Sequence, residues 1–314
     1  MHELITILGP TASGKTGLAA ALAARIDGEV ISADSRQVYR GMDLGTGKDL
    51  DDYIVDGKQI PCHLVDIADP GEEYNVFRFQ QDFLKAYNDI RERGKKAIMC
   101  GGTGMYLESV ILGYRMSDVS QNKDLRKELE LLTDDELNAR LRSLRDVHNV
   151  TDTTDRKRLI RAIEISSSPV PEPVLSLSKG PPHHIDLQNT NHKVFGISLP
   201  REEVRKRITR RLKQRLDEGM VEEVKTLLAS GLSPEQLEFY GLEYKYLTQY
   251  ATGKINYDDM FQGLNTAIHQ FAKRQMTWFR RMEKKGVEII WIDGSQSMDD
   301  KVSEILENLE HLNP

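Results

Sequence analysis

Residues Gly9 to Thr16 read GPTASGKT, a full match to GxxxxGK[ST], set between the apolar run Leu4–Leu8 and an Ala/Leu-rich stretch, Lys15–Ile26. A strand before and a helix after are the context a phosphate-binding loop requires. Gly9, Pro10, Thr11, Ala12, Ser13 and Gly14 shape the cradle, and backbone N–H groups of Ser13 to Thr16 at the helix N-terminus surround an anion. Lys15 reaches terminal phosphate oxygens, and the Thr16 hydroxyl is placed to bind Mg²⁺. The loop names no reaction, because it holds a phosphate equally well whether the phosphoryl group is transferred or departs.

Two further stretches bring reactive groups to the same place. Asp34 ends the second apolar run, in ISADSRQVYRGMD. A carboxylate there takes a proton from a nucleophile poised in line with a bound phosphate ester, or else caps the next helix. Ser35, Arg36 and Gln37 follow; Gln37 is able to pair with a base edge as donor and acceptor together. Cys100 to Tyr106 read CGGTGMY, where glycines let backbone approach a ligand and Thr103 offers a hydroxyl. A P-loop kinase or ATPase more often has an Asp after such a strand; here it is missing, and Asp66 in HLVDI is a possible substitute.

Positive charge is concentrated although the net charge is −6. Arg201 to Arg215 carry eight Lys/Arg against two Glu, with Arg207, Arg211 and Arg215 on one helical face and Val204, Ile208, Leu212 and Leu216 on another. In HQFAKRQMTWFRRMEKK, Phe271, Gln275, Trp278, Phe279 and Met282 share one side. Lys273, Arg274, Arg280, Arg281, Lys284 and Lys285 share the other. Together with RKRLIR, Arg156 to Arg161, these helices favour contacts with RNA phosphates over a merely solvated face.

The elements that must position these groups alternate. Strands are expected at Leu4–Leu8, Glu29–Ala33, Cys62–Ile67 and Lys96–Cys100, with helices at Lys15–Ile26 and Val76–Arg93. That alternation predicts an α/β fold with a doubly wound parallel sheet, whose ligands bind outside the carboxyl ends of the strands. After Gly113 the pattern turns helical, over Asp124–Leu132, Asp134–Leu144 and Thr154–Ile165, and a Pro-rich irregular loop runs from Ser166 to His192. Strands at Val194–Leu199 and Glu288–Ile292 then complete the sheet. The expected organisation is a P-loop core in residues 1–115, a mostly helical insertion in 116–192 and core completion with basic helices in 193–314.

With 39% hydrophobic and 29% charged residues, the 314-residue chain has ordinary globular composition. No run of eighteen apolar residues and no basic leader precede the first strand, so a cytoplasmic protein with no membrane contact is expected, as a monomer. Cys62 and Cys100 are too few and too badly spaced for a zinc site and read as reduced, buried thiols.

In this order, GPTASGKT, ISADSRQVYRGMDLGTGK, HLVDIADP, GGTGMY and KRQMTWFRR resemble the isopentenyl-tRNA transferase family, over nearly the whole chain from Gly9 to Trp291. The resemblance implies a P-loop NTPase-like core and transfer of a dimethylallyl group from its diphosphate to N6 of the adenosine 3′ of the anticodon, position 37, in tRNAs reading codons that begin with U. It implies Asp34 as general base, Thr103 at the reacting centre, and Arg211 beside the phosphate loop on the diphosphate. Asp34 to Gln37 would grip the target base; Arg126, Lys157, Arg158 and Arg161 would meet tRNA, the insertion and basic helices clamping the anticodon stem-loop. Lys157 replaces a usual Gln, and Leu242-Glu243 follow Gly241 where the family has Gly-Tyr-Lys/Arg. Read from residues alone, a small-molecule kinase, a prenyl transferase for free adenine nucleotides and a nucleotide-dependent RNA-binding switch stay open.

Overall fold

The structure is a computed structural model and describes residues 4–114, 122–144, 155–167 and 192–310. The apolar run Leu4–Leu8 forms β1, and Lys15–Ile26 forms α1. Strand β2 is Gly28–Ala33. A 3-10 turn at Leu50–Tyr53 leads into the small hairpin of β3, Ile54–Val55, and β4, Lys58–Gln59. Then come β5, Cys62–His63; α2, Val76–Glu92; β6, Lys96–Gly101; and α3, Gly104–Ile111. The insertion supplies α4, Lys123–Glu130, α5, Asp134–Leu144, and α6, Arg156–Ser167. Strand β7 is His192–Ser198, followed by α7, Arg201–Asp217, α8, Met220–Ala229, α9, Pro234–Phe239, α10, Leu242–Ala251, and α11, Tyr257–Lys284. Strand β8, Ile289–Asp293, and α12, Met298–Glu310, end the described chain.

Six strands form one parallel sheet in the order β5-β2-β6-β1-β7-β8. The period of two along each strand sorts side chains to two cores. Leu4, Leu8, Ile31, Ala33, Ala97 and Met99 join the layer of α2, α3 and the late helices; Ile5, Ile7, Val30, Ile98 and Cys100 join the layer of α1 and α12. Burial on both faces explains why the strands read as unbroken apolar runs.

Register fixes where the loops emerge. Leu8 and Ala33 both pair with Gly101, so the residues after β1, β2 and β6 leave the sheet on one line. Gly101 has no room for a side chain, since a Cβ there would run into the Ala33 carbonyl.

The third strand is shorter than the expected Cys62–Ile67. It ends at His63 because Leu64 and Asp66 take left-handed backbone, φ 63° and 55°, which turns the chain out of the sheet. Helix α6 is shifted from the expected Thr154–Ile165 to Arg156–Ser167, and β7 starts at His192 rather than Val194. Most of the expected Pro-rich loop, residues 168–191, lies outside the described residues. The chain divides into two compact units, 1–114 with 183–314, and 115–182. The smaller unit has its own apolar core, with Leu129, Leu137, Leu141, Leu159 and Ile163 closed between α4, α5 and α6.

Candidate functional site

At the end of β1 the chain turns through Ala12 and Gly14, φ 61° and 83°. Left-handed backbone at a non-glycine such as Ala12 costs roughly 1–2 kcal/mol, and its value here is to aim successive N–H groups inward. Gly14 is the N-cap of α1, and no side chain caps that end. The helix therefore starts with N–H groups and a positive dipole end directed at the loop. The Ser13 hydroxyl is buried without a hydrogen-bond partner among the described residues. Burial lowers the pKa of Lys15, and the neighbouring charges of Asp34, Arg211 and Asp49 act on it as well. An ammonium pushed toward its neutral form by desolvation is one that an incoming anion stabilises.

Asp34 and Thr103 meet beside this cradle. The Ser35 N–H donates to Thr103 Oγ1 at 3.1 Å, and the Thr103 N–H donates to the Ala33 carbonyl at 3.3 Å. Asp34 Oδ1 accepts the Arg36 N–H at 2.9 Å, which fixes the carboxylate within its own turn. Gln37 accepts from Ser32 Oγ at 3.0 Å and donates to the Gly47 carbonyl at 2.9 Å. Both ends of its amide are thus engaged inside the protein, where a base edge was expected.

Arg211 and Arg215 converge on Asp49, Arg215 at 2.6 Å, and Arg211 also approaches the Gly47 carbonyl at 3.5 Å. Burial raises the pKa of Asp49, and the two guanidiniums outweigh it, so the carboxyl sits below its usual range. Burial and the nearby Arg215 lower the pKa of Arg211. Arg207, expected on the same face, pairs instead with Glu203 at 2.8 Å.

Other expected residues are drawn elsewhere. Asp66 accepts from the buried Lys48, which also donates to the Tyr39 carbonyl at 2.6 Å, so it is committed to an ion pair and does not replace the missing strand-end carboxylate. In the smaller unit, Arg126 holds the buried Glu164 through two bonds, 2.7 and 2.9 Å, and Arg161 joins at 3.3 Å. Burial raises the pKa of Glu164, and the two arginines more than reverse it. Lys157 and Arg158 are exposed. Arg281 on α11 and Lys285 just after it turn toward the buried Glu108, and Lys285 also donates to the Tyr114 hydroxyl at 2.7 Å. Phe271, expected on the apolar side, is 38% exposed with the Arg274 guanidinium 5.9 Å from its ring centre. Cys100 is buried and Cys62 half-buried; both are free, and burial pushes each thiol up to about 12.

Gln275 was legible only as a polar residue on an apolar helical face. Its Oε1 accepts the Thr11 N–H at 2.8 Å and its Nε2 donates to the Gly102 carbonyl at 2.9 Å, with 6% of the residue exposed. One side chain therefore ties the phosphate loop to the Thr103 loop. A turn further on, the Trp278 ring lies against Gly104, under the Arg281 guanidinium at 4.8 Å.

Fold and site together define a P-loop α/β protein in which an anion cradle, a carboxylate and a hydroxyl share one sheet edge. Two family models match the chain, one described as IPP transferase over residues 37–282 and one as Isopentenyl transferase over residues 2–60. The chain is 56% identical to "tRNA dimethylallyltransferase 2" of Bacteroides fragilis over 98% of each chain, and 55% identical to a protein of the same description from Phocaeicola vulgatus over 99% and 98%. A solved tRNA isopentenylpyrophosphate transferase of Bacillus halodurans is similar with a TM-score of 0.69 and 32% identity, covering 99% and 96% of the two chains. A eukaryotic dimethylallyltransferase solved acting on tRNA gives a TM-score of 0.78 at 25% identity, covering 100% of this chain and 81% of that one. The chain belongs to the IPP transferase family.

Proposed function

We propose that the chain transfers a dimethylallyl group from dimethylallyl diphosphate to N6 of the adenosine 3′ of the anticodon, position 37, in tRNAs reading codons that begin with U. Dimethylallyl transfer to tRNA is the activity of its family and near relatives. The chemistry is supported by one observation: Asp34 and Thr103 stand at neighbouring strand ends beside the Gly9–Thr16 cradle, with Thr103 Oγ1 accepting the N–H of Ser35 next to Asp34.

The N6 amine is a poor nucleophile because its lone pair is delocalised into the ring. As nitrogen attacks C1 of the allyl group, the bond from C1 to the diphosphate oxygen breaks and the N6 proton passes to the Asp34 carboxylate. Thr103, holding the Ser35 N–H, keeps that carboxylate's loop in place. Charge growing on the departing diphosphate is met by Lys15, by the N–H groups of Gly14 to Thr16, the Ser13 N–H being bound instead to the Pro10 carbonyl at 3.3 Å, and by Arg211, which would exchange Asp49 for phosphate oxygens. Mg²⁺ fits this donor set. Among the described residues no three His, Cys, Asp or Glu side chains form a cage, and Mg²⁺ habitually takes few protein ligands besides substrate phosphates. Thr16 would hold it, and it would neutralise diphosphate charge.

The acceptor must leave its loop to reach this edge, as in other base-modifying enzymes. Ser35 and Arg36 face it, and Gln37 braces their turn. Lys157 and Arg158 supply exposed cations for RNA phosphates, while Arg126 and Arg161 shape that surface through Glu164. Incubation with radiolabelled dimethylallyl diphosphate and unmodified tRNA tests the reading: label in the RNA is expected, and none would overturn it. Comparable labelling of free AMP would overturn tRNA as the acceptor.

A further inference from the structure

We infer that Phe239, with Arg36 laid over its ring, is a stacking platform for an unpaired RNA base neighbouring the one presented to Asp34. The inference rests on the tRNA reading above and adds a contact on the α9–α10 turn. Phe239 is 67% exposed, more than any other aromatic side chain among the described residues. The Arg36 guanidinium stands 5.6 Å from its ring centre. A large apolar ring is held in water at the last residue of α9, a helix fixed by a capping box between Ser233 and Gln236.

What lies beneath it is rigid. Tyr240 meets Phe239 edge-on at 6.0 Å and is itself buried, packed edge-on at 4.6 Å against the buried Tyr39. The Tyr240 hydroxyl accepts the Gly71 N–H. Gly241 then takes φ 134°, a conformation reserved for glycine, which swings the chain into α10 and leaves Arg36 beside the turn. The ring is therefore presented from a packed base, with only its own side-chain torsions left to fix on stacking.

The occupant follows from continuity and charge. Arg36 is tied by its backbone to the Asp34 carboxylate, so the platform adjoins the group that would take the N6 proton. When one base is swung out to Asp34, its neighbour loses a stacking partner, and an aromatic face next to the site replaces it. Glu243 lies at the same turn, its Oε2 as close to Gly241 as the Arg36 Nε, both 3.8 Å from the position a Cβ would take there. Burial raises the pKa of Glu243, so the charge at this turn rests with the Arg36 guanidinium, which already lies over the ring. The exposed apolar ring thus favours the face of a base over the backbone.

Steady-state labelling with tRNA as varied substrate, on Phe239→Ala, Phe239→Leu and Phe239→Trp, tests this. Phe239→Ala should raise KM for tRNA about tenfold. KM for dimethylallyl diphosphate, the thermal midpoint and the salt slope of tRNA binding should stay unchanged, because stacking releases no counterions. Phe239→Trp should restore KM, and Phe239→Leu, which keeps apolar area without a π face, should not. An unchanged KM in Phe239→Ala, rescue by Leu, or a reduced salt slope would overturn the platform while wild-type labelling leaves the tRNA reading standing. Absence of label with wild-type protein would overturn that reading instead.

Discussion

The two ends of the sheet carry charge in opposite conditions. At the amino end, Glu29 on β2 is 4% exposed and receives Arg93 through both guanidinium nitrogens and His63 at 2.7 Å. Bonding to Arg93 lowers its pKa more than burial raises it. Its charge is wanted in the folded state. At the carboxyl end, burial lowers the pKa of Lys15, and Ser13 keeps a buried hydroxyl without a partner among the described residues. There the folded state disfavours the charge it contains, a cost that a bound anion would relieve. Burial of charge therefore acts in opposite ways at the two ends, and whether a partner inside the protein outweighs it tells them apart.

Four substitutions and one titration would break or sharpen that contrast. The largest effect is expected for Asp34→Asn, which should lower single-turnover labelling of tRNA by about a thousandfold, with tRNA affinity and thermal midpoint unaltered. Substantial turnover in that variant would remove Asp34 from the base role. Next, Glu29→Gln should destabilise folding by about 2 kcal/mol in urea melts with kcat per folded molecule intact. Because the folded pKa of Glu29 is depressed, its contribution is full above the unfolded value and fades as pH falls through the folded one, so the variant should show a shallower acid limb. An altered kcat in Glu29→Gln would mean that the two ends are coupled.

Gln275→Met should raise KM for dimethylallyl diphosphate about tenfold by removing both bonds that join the phosphate loop to the Thr103 loop. Gln275→Glu keeps the acceptor for the Thr11 N–H. It should recover toward acid pH, where a protonated carboxyl again donates to the Gly102 carbonyl; a flat pH response would sink this brace. The smallest effect concerns Lys15. Because its pKa is lowered, diphosphate affinity should begin to fall at a lower pH than an ordinary lysine allows. Calorimetric titration with inorganic diphosphate reads this directly.

What could be read beforehand was local. The run Leu4–Leu8 and the helix Asp134–Leu144 have the bounds their apolar patterns imply, because burial on known faces dictates those patterns. The turn into α1 at GPTASGKT was legible because its backbone geometry is set within successive residues. Strand β5 was over-read since hydropathy carries no sign of the left-handed backbone at Leu64 and Asp66. Arg126 and Arg161 read as cations for RNA, and only the fold shows Glu164 between them. The brace at Gln275 depends on partners 264 and 173 residues away, a separation at which no periodicity survives. Phe239 escaped notice because exposure of a single ring is a property of the folded surface.

That 264-residue span has a meaning for synthesis. During translation the phosphate loop emerges 264 residues before the partner of its Thr11 N–H, and so long a closure forms late. A nascent chain stalled before α11 would carry the complete GPTASGKT motif with its neck unfastened from the Thr103 loop. The fastening of the phosphate loop to the Thr103 loop is thereby among the later contacts to form as the chain folds.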